Sequence, residues 1–294
     1  MLDQILTTTT HITAAASATF GAVTVGWYSD LASLSNHWAY VAFFGMLGAI
    51  VGSFSGVVID RIPRNEGLGH RSSCDSCATS VPAWRNIPIV TWVLQKGRCH
   101  ECSASIPMWV WGVELLSAVG WGVGSVLTED PLAALAFGLT VSFSVVLGGI
   151  DWKTTFIYWG PYFGFGAAAW ATTLIWAGMH GTWDAVAGGA AWGFGSAIVM
   201  AGINYLYKLV RGRDGLGGGD GLLSIVVVGV LGALSGTWWV PLYGLYAGFL
   251  IGAVWGVAAT RGSDSGKQAE FALGPYLMAG PFLAWLALSI GGWL

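Results

Sequence analysis

The chain has 294 residues, of which 55% are hydrophobic and only 9% charged, and its formal net charge is −3. Charged residues make up about a quarter of an average soluble domain, so this composition excludes an ordinary soluble globule. The high apolar content also excludes a disordered chain, and the small net charge argues against a nucleic-acid partner. The composition therefore predicts an all-α polytopic integral membrane protein.

The first 38 residues are predicted to form an N-terminal extracytoplasmic or interfacial segment. They contain no Lys or Arg and therefore lack the basic start of a signal peptide. Because the stretch 12–27 is mildly apolar, an additional helix there is the alternative.

Apolar stretches of about 20 residues, the length that crosses a bilayer core, recur from residue 39 onward. The first, 39–59, precedes a polar loop at 60–107, and the others lie in a membrane-embedded core at 108–294. We expect about eight transmembrane helices, or seven if the short sixth stretch does not span by itself. The predicted spans are 39–59, 108–127, 132–150, 156–177, 186–207, 222–238, 240–260 and 272–293.

The basic residues are unevenly distributed between the connections. All twelve Lys and Arg residues fall in the loop 60–107 or in every second connection after it, whereas the connections between these hold none. Connections rich in Lys and Arg face the cytoplasm in membrane proteins. The polar loop is therefore predicted to be cytoplasmic and, with eight spans, both termini lie on the opposite side.

Three carboxylates lie at or near the predicted cytoplasmic ends of spans, where ionisable side chains are rare. Asp151 ends the third span, Asp220 follows the run Gly217–Gly219 and opens the sixth, and Glu114 lies about two turns into the second. An interfacial residue paired with Lys153 is the alternative interpretation of Asp151. A helix N-cap is the alternative for Asp220.

Two carboxyl groups held within a few ångströms cannot both ionise, so such a pair can act as general base and general acid on a water molecule. Asp151 and Asp220 are therefore the candidate catalytic pair of an aspartic protease. Gly217 and Gly219 lack side chains that would keep a substrate backbone away. Asp214 is a weaker alternative to Asp220, and Glu114 is a reserve candidate that could orient a substrate amine.

The four cysteines of the chain form two C-x2-C pairs inside the polar loop. Cytoplasmic thiols stay reduced, and two such pairs supply four thiolates to one tetrahedral Zn²⁺. Metal binding would also supply folding energy to a loop with little apolar mass. We therefore predict a structural zinc site, with unmetallated cysteines as the alternative. The predicted ligands are Cys74, Cys77, Cys99 and Cys102.

The ordered set of motifs resembles the type IV prepilin peptidase family, the bifunctional leader peptidase/N-methyltransferases. The tetracysteine loop lies between the stretch 52–63 and Val113-Glu114-Leu115-Leu116. The run 217–220 is similar to the family's G-x-G-D, and 273–277 to the opening of its last helix. The resemblance implies that Asp151 and Asp220 are the catalytic acids.

The resemblance also implies an activity and its setting. The chain would cleave the basic leader of prepilins or pseudopilins of a type IV pilus or type II secretion system, at the cytoplasmic face of the bacterial inner membrane. It would then methylate the new N terminus with S-adenosylmethionine, although no Rossmann glycine motif follows a strand. Prepilins, pseudopilins and membrane lipids are the expected partners, and the oligomeric state stays open.

Three positions depart from the family pattern. Gly56 stands where the family usually has Asn, Tyr158-Trp159 where it has Pro-Asp, and Leu222 where it has Lys. These departures motivate one alternative, a relative that kept the scaffold and lost peptidase activity. A transporter is a second alternative, because membrane carboxylates and glycine-broken helices occur there too.

Overall fold

A computed structural model describes residues 37–212, 217, 219–260 and 272–291 of the chain. The predicted N-terminal segment, except for its last two residues, and the alternative acid Asp214 lie outside the described residues. The described part forms nine α-helices and one 3-10 turn, Ala83–Arg85. The helices are α1 (His37–Arg61), α2 (Val90–Leu94), α3 (Met108–Thr128), α4 (Pro131–Thr154), α5 (Trp159–His180), α6 (Trp183–Arg211), α7 (Asp220–Ser235), α8 (Trp239–Thr260) and α9 (Gly274–Ile290).

The chain is mostly helical, as its composition predicts. Each of the eight predicted spans overlaps one of the eight long helices, with ends that differ by a few residues. Five of these helices, α1, α3, α4, α6 and α8, are long and apolar enough to cross a membrane. The apolar helices α7 and α9 are shorter, with 16 and 17 residues. The architecture is that of a polytopic membrane protein, and the number of spans stays a prediction.

Helix α4 lies at the centre of the bundle, where it contacts α1, α3, α5, α7 and α9. Its N-cap, Asp130, accepts the backbone N–H of Ala133 at 2.8 Å, which satisfies one of the free donors of the first turn. Trp121 of α3 is buried against α4 and donates its indole N–H to Ser142 at 3.0 Å. Because other helices surround α4, its last turn, which carries Asp151, is also enclosed.

The helices on either side of the candidate site pack with their backbones in direct contact. Gly189 of α6 faces the carbonyl oxygen of Gly229 in α7, and Gly248 of α8 faces that of Tyr276 in α9. A methyl group at Gly189 or Gly248 would overlap the facing carbonyl. Small residues at helix crossings permit this approach in membrane proteins. The contacts hold α7 against α6 and α9 against α8.

Side-chain contacts show which helix ends lie together. The ammonium of Lys153, near the end of α4, lies 3.4 Å from Asp60 Oδ1 and 3.7 Å from the centre of the Trp109 ring. Asp60 belongs to the end of α1 and Trp109 to the start of α3. These three helix ends therefore meet at the end of the bundle that carries the polar loop, as alternating topology predicts.

Candidate active site and metal centre

Asp151 lies in the last turn of α4 and is only 5% exposed. Its Oδ2 accepts the backbone N–H of Gly274, the first residue of α9, at 3.0 Å. Lys153, the partner considered from the sequence, contacts Asp60 instead. The Asp151 carboxyl is therefore buried where α4 meets the start of α9.

Asp220 is the first residue of α7 and is 6% exposed. The N-cap position belongs to Gly219, so Asp220 does not cap the helix as the alternative interpretation proposed. Its Oδ2 accepts the backbone N–H of Gly217 at 3.1 Å. Ile157 covers Gly219, where an added methyl group would lie 2.5 Å from Ile157 Cδ1, whereas Gly217 is exposed. Of these two glycines, only Gly217 leaves its backbone open beside the carboxyl group.

The fold brings the two acids together. Helices α4, α7 and α9 contact one another, and the carboxyl groups of Asp151 and Asp220 interact electrostatically. The Oδ2 atom of each carboxyl group accepts a hydrogen bond from the backbone N–H of a glycine. Neighbouring carboxyl groups of this kind titrate as a coupled unit and can hold one proton between them.

Glu114 makes a different contact, between α3 and the polar loop. It is 7% exposed, and its Oε2 accepts the backbone N–H of Ile89 at 2.6 Å. Ser53 of α1 lies beside this carboxyl group. Ile89 has a φ of 63°, a left-handed conformation that β-branched residues rarely adopt. The buried Glu114 therefore ties a strained turn of the loop to α1 and α3.

The four cysteines lie together in the loop, with their Sγ atoms within 4.8 Å of one another. Cys74 Sγ and Cys102 Sγ are 3.7 Å apart, and two thiolates on a tetrahedral zinc with bonds of about 2.3 Å would be about 3.8 Å apart. Hydrogen bonds with the side chain and backbone of Thr79 lower the pKa of Cys77 to about 6, whereas burial and the three other thiols raise the pKa of Cys102. The cluster could therefore bind a metal ion, and zinc fits its four sulfur donors.

The two C-x2-C pairs form equivalent turns. The backbone N–H of Ala78 donates to the carbonyl of Cys74 at 2.8 Å, and that of Ser103 donates to the carbonyl of Cys99 at 2.9 Å. Ala78 and Ser103 each follow the second cysteine of a pair and have φ values of 56° and 60°. Each turn thus has a left-handed residue at the same place, and the two turns direct their thiols towards one point.

Charged side chains hold the rest of the loop in place. Arg61, at the end of α1, donates to the backbone carbonyls of His70 at 2.8 Å and Gly67 at 3.3 Å. Arg85 pairs with Glu101 at 3.0 Å, which joins the segment after the first cysteine pair to the second pair. These contacts fix the loop around the cysteine cluster.

The sequence assigned no role to three residues that shape these sites. Gly274 was recognised only as part of the motif at the last helix, and a Gly-Pro pair does signal a helix start. Ile89 and Ile157 carry no sequence signal, because their importance depends on a strained backbone angle and on a contact with Gly219.

Comparison with known proteins gives a consistent set of relatives. The family model described as the Bacterial Peptidase A24 N-terminal domain matches residues 46–127, from α1 through the loop to α3. A prepilin leader peptidase/N-methyltransferase of Burkholderia pseudomallei is 28% identical over 271 residues, which cover 82% of this chain and 83% of that protein. Those of Pseudomonas aeruginosa and Neisseria gonorrhoeae are each 28% identical, covering 86% and 90% of this chain and 91% and 92% of their own lengths.

The chain has no significant match among solved structures. The similarity to the curated relatives extends well beyond the matched domain, because it covers most of both chains. The resemblance predicted from the motifs is therefore confirmed: the chain is similar over most of its length to proteins named prepilin leader peptidase/N-methyltransferase, and its residues 46–127 match the Bacterial Peptidase A24 N-terminal domain.

Proposed function

We propose that the chain is an intramembrane aspartic peptidase that removes the leader of type IV prepilins or pseudopilins and then methylates the new N terminus. The observation that carries this proposal is that Asp151 and Asp220 are both buried, on helices α4 and α7 that contact each other, at the end of the bundle that bears the cysteine loop. The names of the relatives supply the substrate class.

In the proposed reaction, one carboxyl group of the pair is ionised and the other holds a proton. The ionised group takes a proton from a water molecule, whose oxygen attacks the scissile carbonyl carbon, while the protonated group gives its proton to the carbonyl oxygen. The acid that took the proton from water then gives it to the amide nitrogen, and the C–N bond breaks while one hydroxyl of the intermediate returns its proton to the other acid, so that the amine leaves and the pair is restored. The N–H groups of Gly274 and Gly217 hold one oxygen of each acid in place.

Gly217 is exposed and has no side chain of its own, so its backbone offers an extended prepilin segment a route towards Asp220. The distribution of Lys and Arg favours the cytoplasmic side for this end of the bundle. The proposed location is therefore the cytoplasmic face of a bacterial inner membrane.

The two cofactors have different support. Zinc held by the four cysteines would supply folding energy to the loop. S-adenosylmethionine would supply the methyl group, but the described residues contain only two isolated β-bridges and no strand that precedes a glycine-rich loop. They therefore offer no Rossmann-type site, and methylation rests on the names of the relatives.

Membrane lipids are the second proposed partner. Within the described residues, the loop's Arg64 and Arg85 pair with carboxylates, whereas Arg71, Lys96 and Arg98 are exposed with no carboxylate inside ion-pair distance. Exposed basic residues next to a bilayer attract anionic headgroups. These three residues are the proposed lipid contacts of the loop.

The proposed activity is tested by co-expressing the full chain with a prepilin and analysing the pilin by mass spectrometry. We expect the product to lack its leader and to carry one additional methyl group. Cleavage without methylation would contradict the second activity alone. An unprocessed prepilin beside a folded, zinc-loaded chain would contradict the peptidase proposal and favour the inactive relative that Gly56, Tyr158 and Leu222 suggest.

Changing Glu114 is expected to loosen the loop. Glu114→Ala leaves the half-buried N–H of Ile89 without its acceptor, which costs about 1 kcal/mol, so limited proteolysis near residues 87–95 should accelerate several-fold. Glu114→Gln keeps a carbonyl oxygen for the same N–H and should resist proteolysis almost as the unmodified chain does. If Glu114→Gln lost prepilin cleavage while its loop stayed protected, Glu114 would instead act through its charge, as a group that orients the substrate amine.

A further inference from the structure

The start of α9 lies directly against the carboxyl group of Asp151. The N–H of Gly274 donates to Asp151 Oδ2 at 3.0 Å, in a buried hydrogen bond between residues 123 positions apart. A Cβ atom added at Gly274 would lie 2.8 Å from Oδ2, 3.2 Å from Cγ and 3.5 Å from Cβ of Asp151. The three atoms nearest to that added carbon all belong to Asp151, so the space beside Gly274 is filled by this one side chain.

The position of the Gly274 amide does not depend on this hydrogen bond alone. Gly148, about one turn before Asp151, faces Met278 and Pro275 of α9. A Cβ atom added at Gly148 would lie 3.3 Å from Met278 Cε and 3.6 Å from Pro275 Cα. Two residues after Gly274, the backbone of Tyr276 packs on α8. Helices α4 and α8 therefore hold the first turn of α9, and the amide is set in place before any substrate arrives.

A helix N-terminus carries free N–H groups and a partial positive charge, both of which suit a carboxylate. With Oδ2 held by the Gly274 amide, rotation of the Asp151 carboxyl group is restricted. Its other oxygen is then left to act on water. Catalytic groups must be held within about half an ångström of their working position to be effective.

We infer that Gly274 is a positioning residue of the catalytic centre, whose backbone amide and missing side chain together orient Asp151. The effect of Gly274 on catalysis rests on the proposed peptidase function. Its effect on the position of the Asp151 carboxyl group rests on the contact alone. A residue larger than glycine at position 274 keeps the N–H but displaces the carboxyl group. The same constraint does not exist at Gly160, in the first turn of α5, where an added Cβ meets no atom of the described residues within 4 Å.

The test compares Gly274→Ala with the matched control Gly160→Ala in the full-length, zinc-loaded chain. We expect Gly274→Ala to lower kcat for prepilin cleavage about 10- to 100-fold with KM changed less than about twofold, because the acid is misplaced while substrate binding is kept. Gly160→Ala should leave kcat and KM unchanged. An unchanged kcat in Gly274→Ala, or a loss confined to KM, would overturn the inference.

A second measurement needs no activity and so stands apart from the proposed function. In the unmodified chain, Gly274→Ala should lower the apparent melting temperature by a few degrees, about 3–6 °C. Asp151→Ala removes Oδ2 and Cγ, the two atoms closest to the new methyl group, and leaves Cβ of residue 151 at 3.5 Å, an ordinary contact. Gly274→Ala should then lower the melting temperature by less than about 1 °C. The difference between the two backgrounds is the coupling expected of residues in contact.

An equal loss of melting temperature in both backgrounds would show that the methyl group clashes elsewhere, and would overturn the inference. If Gly274→Ala alone fails to fold, recovery of the Asp151→Ala/Gly274→Ala double variant supports the inference and failure of both variants contradicts it. If the unmodified chain cleaves no prepilin although the coupling is present, the proposed function fails while the contact between Gly274 and Asp151 stands.

Discussion

Replacement of either Asp151 or Asp220 by Asn is expected to reduce prepilin cleavage by about 10²–10⁴-fold, the contribution of a general acid or base. Asn keeps the shape and can still accept the N–H of Gly274 or Gly217 through its carbonyl oxygen. It cannot take a proton from water, so the reaction loses its base or its acid. The measurement is the initial rate of leader removal, with zinc content and melting temperature recorded for each variant.

The effects of the two substitutions on the cleavage rate should not be additive. Because the acids act as one unit, the double variant should be no slower than the worse of the two single variants. The pH dependence of the rate should require two coupled carboxyl ionisations.

Asp184→Asn is the matched control, since Asp184 is an exposed residue in the first turn of α6. We also expect Asp214→Asn to keep most of the activity. If Asp220→Asn cleaved at a nearly normal rate while Asp214→Asn or Glu114→Gln did not, Asp220 would be the wrong choice of second acid.

Changing Cys74 and Cys99 together to Ser is expected to remove the metal. The purified chain should contain about one zinc ion per molecule, because four thiolates close one tetrahedral site. The double variant takes one sulfur from each C-x2-C pair, so neither pair can keep the ion by itself. Elemental analysis of the purified proteins gives the stoichiometry directly.

Loss of zinc should disorder the loop and leave the long helices formed, because the bilayer requires their backbone hydrogen bonds. Proteolysis of the loop should therefore increase while the helical content stays nearly constant. Ser76→Ala, an exposed change between Cys74 and Cys77, is the matched control and should keep the full zinc content. Full zinc retention in the double cysteine variant would contradict the assignment of these ligands.

Zinc removal also tests what the loop contributes to the proposed activities. The tether from Glu114 to Ile89 joins the loop to α3. We therefore expect cleavage and methylation to fall together when the loop is disordered. Normal cleavage with an unmethylated product would instead place the methyl-transfer site in the loop.

Features that depend on neighbouring residues in the chain could be predicted from the sequence. The apolar stretches predicted all eight long helices to within a few residues, since a run of about 20 apolar residues is a local property. The paired spacing of Cys74, Cys77, Cys99 and Cys102 likewise predicted a four-sulfur cluster, because each C-x2-C pair closes one short turn. The motifs also predicted the similarity to the prepilin leader peptidase/N-methyltransferases.

The contacts that orient the candidate acids could not be predicted in this way. Gly274 meets Asp151 across 123 residues because α9 packs against both α4 and α8. Glu114 reaches Ile89 only because the loop turns back onto α3 with a left-handed residue. Ile157 fills the space at Gly219, which the sequence alone left open to a substrate.

These contacts follow from how whole helices cross, and helix crossing depends on side chains far apart in the chain. Periodicity and spacing reveal which residues share a helix or a turn, but they contain no information on which other helix lies opposite. The amino-acid pattern was therefore sufficient for the class, the helices and the four-cysteine cluster, and it singled out the two candidate acids. Only the packing of α4, α8 and α9 decided that Asp151 accepts the backbone amide of Gly274, whereas Asp220 accepts the amide of Gly217 within one local turn.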